Sequence, residues 1–203
     1  YKKNKNGFIY TDKIGKINLP LPNLLGQFQI SNVSTAVNTV RNLEQFKIST
    51  NHIKKAITKI KSEGRLQYIK KGKLRNFVSK KNKILIDGAH NALAAFEVNK
   101  YLKTFNKEKK IIMVLGMMVN KEHKKFIQIF KKRIHSIITL DIPNQKNFIK
   151  KEKLSAIAKS YGISSKTSSS IESAFKKIGR ENNDAIIFCT GSLYFVGEIL
   201  NLN

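Results

Sequence analysis

The sequence is poor in cysteine, proline and arginine, and it contains no long apolar run. Its single cysteine, Cys189, excludes a disulfide framework. Because Cys189 lies in the apolar run 185–189, we interpret it as a small core side chain. No apolar run is long enough to form a membrane-spanning helix. We therefore expect a cytoplasmic protein that does not associate with membranes.

Basic side chains dominate the charge of the chain. There are 39 Lys and Arg residues against 13 Asp and Glu, which gives a net charge of +26, a balance typical of nucleic-acid-binding proteins. However, only five of the basic residues are Arg, and the Lys residues are accompanied by abundant Asn and Ile, as AT-rich codons would produce. A surface that reads bases would use Arg and exposed aromatic side chains. We expect a solvated lysine surface without a specific nucleic-acid partner. A basic nucleic-acid-binding module is the remaining alternative.

Residues 1–63 are predicted to contain two short strands followed by two helices. Apolar patterns put these elements near 8–10, 14–19, 33–43 and 53–60. These four elements are too few to enclose a core of their own, and we expect them to pack against residues that precede Tyr1. The first methionine is Met113, which also indicates the C-terminal part of a longer protein.

The predicted domain boundary is Ser62-Glu63-Gly64-Arg65. Gly64 is expected to end the second helix, and the apolar pattern changes after it. We therefore divide the chain into a first part, 1–63, and a second part, 64–203.

Strands and helices alternate from residue 83 onwards. Apolar runs predict strands over 84–86, 111–115, 137–140 and 185–189. Helical spacing predicts helices near 92–104, 121–132, 151–161, 170–179 and 192–201. Such alternation predicts an α/β, Rossmann-like domain, with a mostly parallel sheet flanked by helices. We also expect a hairpin over 66–78 and a polar loop over Ser164–Ser170.

Small and polar residues follow the predicted strands at the points where the strands end. They are Asp87-Gly88-Ala89-His90, Gly116, Asp141 and Thr190-Gly191-Ser192. The carboxyl ends of parallel strands share one edge of a sheet, and ligands bind at that edge. The chain contains neither GxGxxG nor GxxxxGK[ST], so it supplies no standard nucleotide-binding loop.

Four motifs occur here in the order in which they occur in folylpolyglutamate synthases. They are Leu25-Gly26…Gln29…Asn32, Gly64-Arg65-Leu66-Gln67, Asp87-Gly88-Ala89-His90-Asn91 and Thr190-Gly191-Ser192-Leu193-Tyr194. Over essentially all 203 residues the chain resembles the bifunctional dihydrofolate synthase/folylpolyglutamate synthases, which belong with the Mur ligases. Another Mur-type amino-acid ligase is the alternative, although those enzymes more often have Asp-Tyr-Ala-His after the first strand.

The resemblance implies an ATP-dependent ligase of folate biosynthesis and one-carbon metabolism. In that family, a pteroate or folate carboxylate is phosphorylated by ATP, and the amine of L-glutamate then attacks the acyl phosphate. The resemblance makes 1–63 the end of the central domain and 64–203 the C-terminal Rossmann-like domain. The P-loop, the Mg²⁺ ligands and a modified lysine would precede Tyr1, so we expect no turnover from this chain alone. The intact enzyme is expected to be a monomer that binds small molecules.

By motif, five side chains are implied in binding or catalysis. Asn32 resembles the residue that approaches the adenine, Arg65 the one that touches the phosphates, and Asp87 the one that holds the ribose. His90 and Ser192 resemble contacts for the incoming glutamate or for its attack on the acyl phosphate.

Each of these residues also has a structural interpretation. The side chains of Asn32, Asp87 and Ser192 could simply cap the helices that follow them, and His90 could simply pack. Arg65 could form a surface ion pair, but its fixed fork of donors suits a phosphate better. The N-terminus of the helix after Ser192 favours a carboxylate, so its capping and binding roles are compatible.

The sequence departs from the family pattern at two places in this chain. Phe28 occupies a position where the family often has His, so a polar contact is absent there. Asn120-Lys121-Glu122 replaces an Asp-Lys-Asp turn, and we expect the function of that turn to be weakened.

Overall fold

The computed structural model describes all 203 residues, which form two compact units, Tyr1–Glu63 and Gly64–Asn203. No helix in the chain combines the length and the apolar character that crossing a membrane requires.

The first unit consists of a small antiparallel sheet and two helices. Its strands are β1 (Lys2–Lys3), β2 (Gly7–Asp12) and β3 (Gly15–Pro20), in that spatial order, and its helices are α1 (Phe28–Arg41) and α2 (Thr50–Ile57). The two predicted strands and both predicted helices are thus confirmed, and β1 is a third strand that the sequence did not indicate. Helix α1 begins earlier than the apolar spacing indicated, so Asn32 lies inside it. The interpretation of Asn32 as a helix cap is therefore wrong.

Helix α1 packs over the β2–β3 hairpin and closes a small core. The core consists of Phe8, Tyr10, Leu19, Ile30, Val33, Val37, Ile53 and Ile57. The expectation that this unit encloses no core of its own is therefore wrong. An apolar groove of about 340 Å³ nevertheless stays open between α1 and α2, lined by side chains such as Val40 and Ile60.

A bidentate ion pair ties the β2–β3 turn to the end of α1. The carboxylate of Asp12 accepts hydrogen bonds from the backbone N–H groups of Ile14 (2.9 Å) and Gly15 (3.1 Å), which close the turn. It also accepts bonds from Arg41, through Nε at 2.7 Å and Nη2 at 3.1 Å. Hydrogen bonding to Arg41 is the largest cause that holds the pKa of Asp12 below its usual value.

The lowered pKa predicts how the first unit responds to acid. A carboxylate whose folded-state pKa is depressed stabilises the fold above its unfolded pKa, and this contribution disappears as pH falls through the folded pKa. We expect the first unit to lose stability below about pH 4, the unfolded pKa of Asp. In the variant Asp12→Asn this acid-dependent loss should be smaller, because Asn does not titrate. Circular dichroism melts of the isolated unit 1–63 between pH 3 and 7 measure the difference. Parallel pH profiles for both proteins would contradict the prediction.

The second unit contains a six-stranded sheet. The strands are β4 (Gln67–Ile69), β5 (Lys83–Ile86), β6 (Ile111–Leu115), β7 (Ser136–Thr139), β8 (Ser164–Thr167) and β9 (Ile186–Thr190). Their spatial order is β4-β5-β9-β6-β7-β8. Strand β4 is antiparallel to β5, and all other neighbours are parallel. The predicted α/β class with a mostly parallel sheet is confirmed.

Two predictions near the sheet edges and one at the domain boundary are wrong. Ser164–Thr167 is not a loop but the edge strand β8, which can be polar because most of its side chains face solvent. The expected hairpin over 66–78 is absent, because β4 pairs with β5 and Leu74–Phe77 forms a 3₁₀ helix. Gly64 does not end α2, which stops at Ile57; it lies in a separate turn with φ +67°.

Five helices cover both faces of this sheet. They are α3 (Ala92–Leu102), α4 (His123–Phe130), α5 (Lys151–Ser160), α6 (Ile171–Glu181) and α7 (Leu193–Asn201). Ile84 and Ile86 pack into a cluster that includes α6 and α7, whereas Phe188 meets Phe130 of α4 at a ring-centroid distance of 6.0 Å. Burial on both faces explains why β5, β6 and β9 are almost continuously apolar.

Candidate functional site

The loops that follow β5, β9 and β6 are joined by backbone hydrogen bonds at the carboxyl edge of the sheet. The N–H of Asp87 donates to the carbonyl oxygen of Cys189 (3.0 Å), and the N–H of Gly191 donates to that of Ala89 (3.0 Å). The N–H of Gly116 donates to the carbonyl oxygen of Thr190 (3.3 Å). The predicted convergence of these strand ends is therefore present in the structure. The three loops form one surface at this edge, and their residues include Asp87, His90 and Ser192.

Close packing between these loops requires glycine at position 191. Gly191 has φ +110°, a conformation that side chains rarely allow. A Cβ atom there would lie 2.5 Å from the carbonyl oxygen of Gly116 and 2.7 Å from Cδ1 of Leu115. The loop after β9 can approach the loop after β6 only because no side chain stands between them.

Asp87 is buried beneath this surface, with 3% of its area exposed. Its Oδ2 accepts a hydrogen bond from the N–H of Leu66 (2.9 Å), and its Oδ1 accepts one from the N–H of Ala89 (2.8 Å). Burial raises the pKa of this carboxyl group, and the two backbone bonds, followed by the nearby charges of Arg65 and His90, oppose that rise. The capping interpretation of Asp87 is wrong. The side chain that caps α3 belongs to Asn91, which accepts from the N–H of Ala94 (2.9 Å).

Arg65 lies in the turn that Asp87 holds, and it is half-buried. Its guanidinium group makes no hydrogen bond and no ion pair with any other side chain or backbone group of the chain. The surface ion pair that we considered for Arg65 is therefore absent. A guanidinium group with all its donors available can bind an anion bidentately.

The imidazole of His90 is oriented by its own loop. Nδ1 lies 2.9 Å from the carbonyl oxygen of Gly88. Because a carbonyl oxygen can only accept, Nδ1 carries a proton and donates it. In the neutral ring Nε2 then presents a lone pair, which can accept a hydrogen bond from an ammonium group.

Ser192 is the N-cap residue of α7. Its Oγ accepts a hydrogen bond from the N–H of Tyr194 (3.1 Å), so the capping interpretation of Ser192 is confirmed. Ser192 is itself almost fully buried, whereas the next two side chains, Leu193 and Tyr194, are exposed. The proposed contact of Ser192 with glutamate stays a prediction.

The structure brings four of the five predicted residues into the second unit and leaves Asn32 in the first. Arg65, Asp87, His90 and Ser192 lie on the joined loops or on the turn bonded to them. Asn32 is exposed on α1, and its Nδ2 donates to Oε1 of Gln29 (3.0 Å).

Sequence reasoning missed the contribution of Leu66 to this site. Leu66 has φ +45°, and it is buried. A bulky residue in the left-handed region is rare, and no sequence signal marks one. Sequence reasoning also missed Thr190, whose hydroxyl group donates to the carbonyl oxygen of Ala89 (3.3 Å). Thr190 belongs to the motif Thr190-Gly191-Ser192-Leu193-Tyr194, which could have indicated its role.

The altered turn Asn120-Lys121-Glu122 has local partners. Glu122 forms an ion pair with Lys125, and the next residue, His123, contacts the carbonyl oxygen of Met118 (2.9 Å). The acidic group that remains in this turn is therefore engaged by a neighbour on α4. At the other departure from the family pattern, Phe28 is the first residue of α1 and is half-buried.

Comparisons with known proteins identify relatives of both units. Residues 65–202 match the family model of the dihydrofolate synthetase C-terminal domain. Dihydrofolate synthase/folylpolyglutamate synthase of Buchnera aphidicola is 31% identical over 179 residues, which cover 87% of this chain and 40% of that protein. The chain thus spans less than half the length of this curated relative.

Solved structures share the fold at lower identity. E. coli FolC in complex with DHPP and ADP has a TM-score of 0.80 at 21% identity, covering 98% of this chain and 44% of that one. The folylpolyglutamate synthase of Mycobacterium tuberculosis complexed with ADP has a TM-score of 0.74 at 19% identity, covering 97% and 43%. A bifunctional folylpolyglutamate synthase/dihydrofolate synthase with Mn, AMPPNP and L-glutamate bound has a TM-score of 0.77 at 18% identity, covering 98% and 44%.

Proposed function

This chain belongs to the dihydrofolate synthetase family, whose C-terminal domain it contains, and we propose that it is part of an ATP-dependent ligase. The ligase adds L-glutamate to dihydropteroate, to folate, or to both. The observation that carries the proposal is the unpartnered guanidinium of Arg65, on a turn at the carboxyl edge of the parallel strands β5, β9 and β6. ADP, AMPPNP and L-glutamate in structures of relatives support the same substrates. We further propose a cytoplasmic, monomeric enzyme.

The reaction proceeds in two balanced steps. An oxygen of the pteroate or folate carboxylate attacks the γ-phosphorus of ATP, and ADP leaves with the bridging oxygen. The amine of glutamate then attacks the acyl carbon, inorganic phosphate leaves, and the nitrogen loses a proton. Both steps develop negative charge on phosphoryl oxygens, which a fixed guanidinium fork stabilises.

The residues of this chain bind and orient the substrates. Arg65 binds the transferred phosphoryl group, and Asn32 approaches the adenine. Nε2 of His90 accepts a hydrogen bond from the ammonium group of glutamate, and the N-terminus of α7 at Ser192 binds a glutamate carboxylate. The family resemblance also assigns the ribose to Asp87.

The side chains of this chain form no dedicated cage for a metal ion. No group of three or more His, Cys, Asp or Glu side chains is arranged to hold one. We therefore propose that the Mg²⁺ ligands are residues outside this sequence. Mn in a relative's structure is consistent with a divalent ion in the complete enzyme.

The polypeptide of 203 residues is expected to show no ligase turnover, because it contains no phosphate-binding loop. Incubation with ATP, radiolabelled glutamate and either dihydropteroate or folate measures product formation directly. Any glutamate ligation by this polypeptide alone would contradict the prediction.

The amino-acid specificity of a longer protein that contains this chain, called the longer enzyme below, tests the proposed function itself. We expect ADP release that depends on both glutamate and a folate-type acceptor. Replacing glutamate with alanine, aspartate or lysine separates this ligase from other Mur-type amino-acid ligases. A clear preference for another amino acid, or ADP release without a folate-type acceptor, would overturn the assignment.

A further inference from the structure

Leu193, the first residue of α7, lies against two other segments of the candidate site. A Cβ atom added at Gly88 would lie 2.2 Å from Cδ2 of Leu193, and one added at Gly64 would lie 3.9 Å from the same atom. The N–H of Gly88 donates to the carbonyl oxygen of Gly64 (2.8 Å), which joins the two segments directly. One methyl group of Leu193 therefore lies beside the point where these segments meet.

The two segments carry the side chains that we assign to the two reacting groups. Gly64 begins the strained turn that carries Arg65, in which Leu66 has φ +45°. Gly88 orients the second side chain, because its carbonyl oxygen lies 2.9 Å from Nδ1 of His90. An apolar side chain therefore adjoins both the segment proposed to bind the phosphoryl group and the segment proposed to bind the glutamate amine.

The large apolar side chains exposed in the second unit are all found near this edge of the sheet. They are Leu93 and Phe96 in the first two turns of α3, Val119 after β6, and Leu193 and Tyr194 at the start of α7. An apolar cluster of this kind marks a binding surface, whereas single exposed apolar side chains do not. Leu193 is 47% exposed, and among these five it alone provides atoms that are nearest to the two glycine positions.

We propose that Leu193 shields the acyl phosphate from water, so that the amine of glutamate attacks it instead. The inference rests on the proposed ligase function and adds a residue to it. Attack of water on the acyl carbon would restore the pteroate or folate carboxylate and release inorganic phosphate and a proton. The net reaction would then be ATP hydrolysis without ligation. An apolar side chain offers no hydrogen bond that could hold a water molecule for this attack.

The ADP released per glutamate ligated, measured in the longer enzyme at saturating glutamate, tests the proposal. The wild type should release about one ADP per ligation, and Leu193→Asn roughly three or more, because a polar side chain of similar size admits water. Leu193→Met should keep the wild-type ratio, since it preserves the apolar volume. An unchanged ratio in Leu193→Asn, or an equal rise in Leu193→Met, would overturn the proposal.

Leu93→Asn is the matched control for the change in polarity. Leu93 lies at the start of α3 and is 75% exposed, and none of its atoms is among those nearest to Gly64 or Gly88. This variant should keep the wild-type ratio of ADP to ligated glutamate. A rise as large as that in Leu193→Asn would mean that the polarity of the whole surface matters, and the specific role of Leu193 would be wrong.

Gly88→Ala tests the contact without replacing Leu193. Gly88 does not have a positive φ, so its backbone accepts alanine, but the new Cβ would lie 2.2 Å from Cδ2 and 2.8 Å from Cγ of Leu193. The leucine side chain must therefore move, and the ratio of ADP to ligated glutamate should rise as it does in Leu193→Asn. A wild-type ratio in Gly88→Ala would contradict the shielding role.

NMR of the 203-residue chain without substrates tests the same contact independently of activity. The methyl protons of Leu193 should show nuclear Overhauser effects to the Hα protons of Gly64 and Gly88, and Gly88→Ala should remove the effect to Gly64. Their absence in the unmodified chain would overturn the inference. A wild-type longer enzyme that ligates no glutamate would instead refute the proposed function and leave the contact standing.

Discussion

Gly191→Ala is expected to destabilise the second unit by about 4 kcal/mol. Roughly 2 kcal/mol arises from a side chain at φ +110°, and about the same again from overpacking. The new Cβ would lie 2.5 Å from the carbonyl oxygen of Gly116 and 2.8 Å from Cγ of Met117. The backbone oxygen cannot move without disturbing the bond between the N–H of Gly116 and the carbonyl oxygen of Thr190. Calorimetry of the 203-residue chain should show the melting temperature of this unit fall by roughly 10 °C.

Gly162→Ala is the matched control for this substitution. Gly162 also has a positive φ, +75°, but no atom lies within 4 Å of the position that a Cβ would take there. Its replacement should cost only the conformational strain, about 1 kcal/mol. Equal effects of Gly162→Ala and Gly191→Ala would mean that backbone strain alone matters and that the close approach of the two loops does not.

The sequence predicts the buried strands of this fold better than its edge strands. The apolar runs of β5, β6 and β9 predict buried strands, because burial on both faces leaves a strong compositional signal. Edge strands leave a weaker compositional signal. Ser164–Thr167 is polar because only one of its side chains is buried, and so its sequence is typical of a loop.

The sequence predicts which loops form the candidate site, but it does not predict the hydrogen bonds that their atoms make. Parallel strands bring positions 87, 116 and 192 to the same edge of the sheet, independently of which side chains occupy them. The partners of Asp87 could not be predicted in the same way. They depend on the left-handed backbone of Leu66, 21 residues earlier in the chain, and tertiary contacts impose that conformation against the residue's own preference.

Arg65→Ala in the longer enzyme is expected to lower kcat/KM for ATP at least tenfold, which corresponds to about 1.4 kcal/mol of lost transition-state stabilisation. Alanine removes every donor of the guanidinium group, and no other part of the chain engages that group in the structure. Arg65→Lys should recover only part of the loss, because an ammonium group keeps the charge but not the planar fork. Steady-state kinetics at constant ionic strength measure kcat/KM for ATP in the wild type, in Arg65→Ala and in Arg65→Lys.

The control for Arg65 must remove the same charge from a surface that lacks the strained turn. Arg180 is exposed on α6, and Arg180→Ala lowers the net charge of +26 by the same single unit. If the general positive field attracted the nucleotide, both substitutions would weaken ATP use similarly, and both effects would fade as salt rises. A large effect of Arg65→Ala that persists at high salt, beside a negligible effect of Arg180→Ala, requires direct contact with the phosphates. An effect of Arg65→Ala below twofold would instead make Arg65 a structural residue of the turn, and the proposed phosphate contact would be wrong.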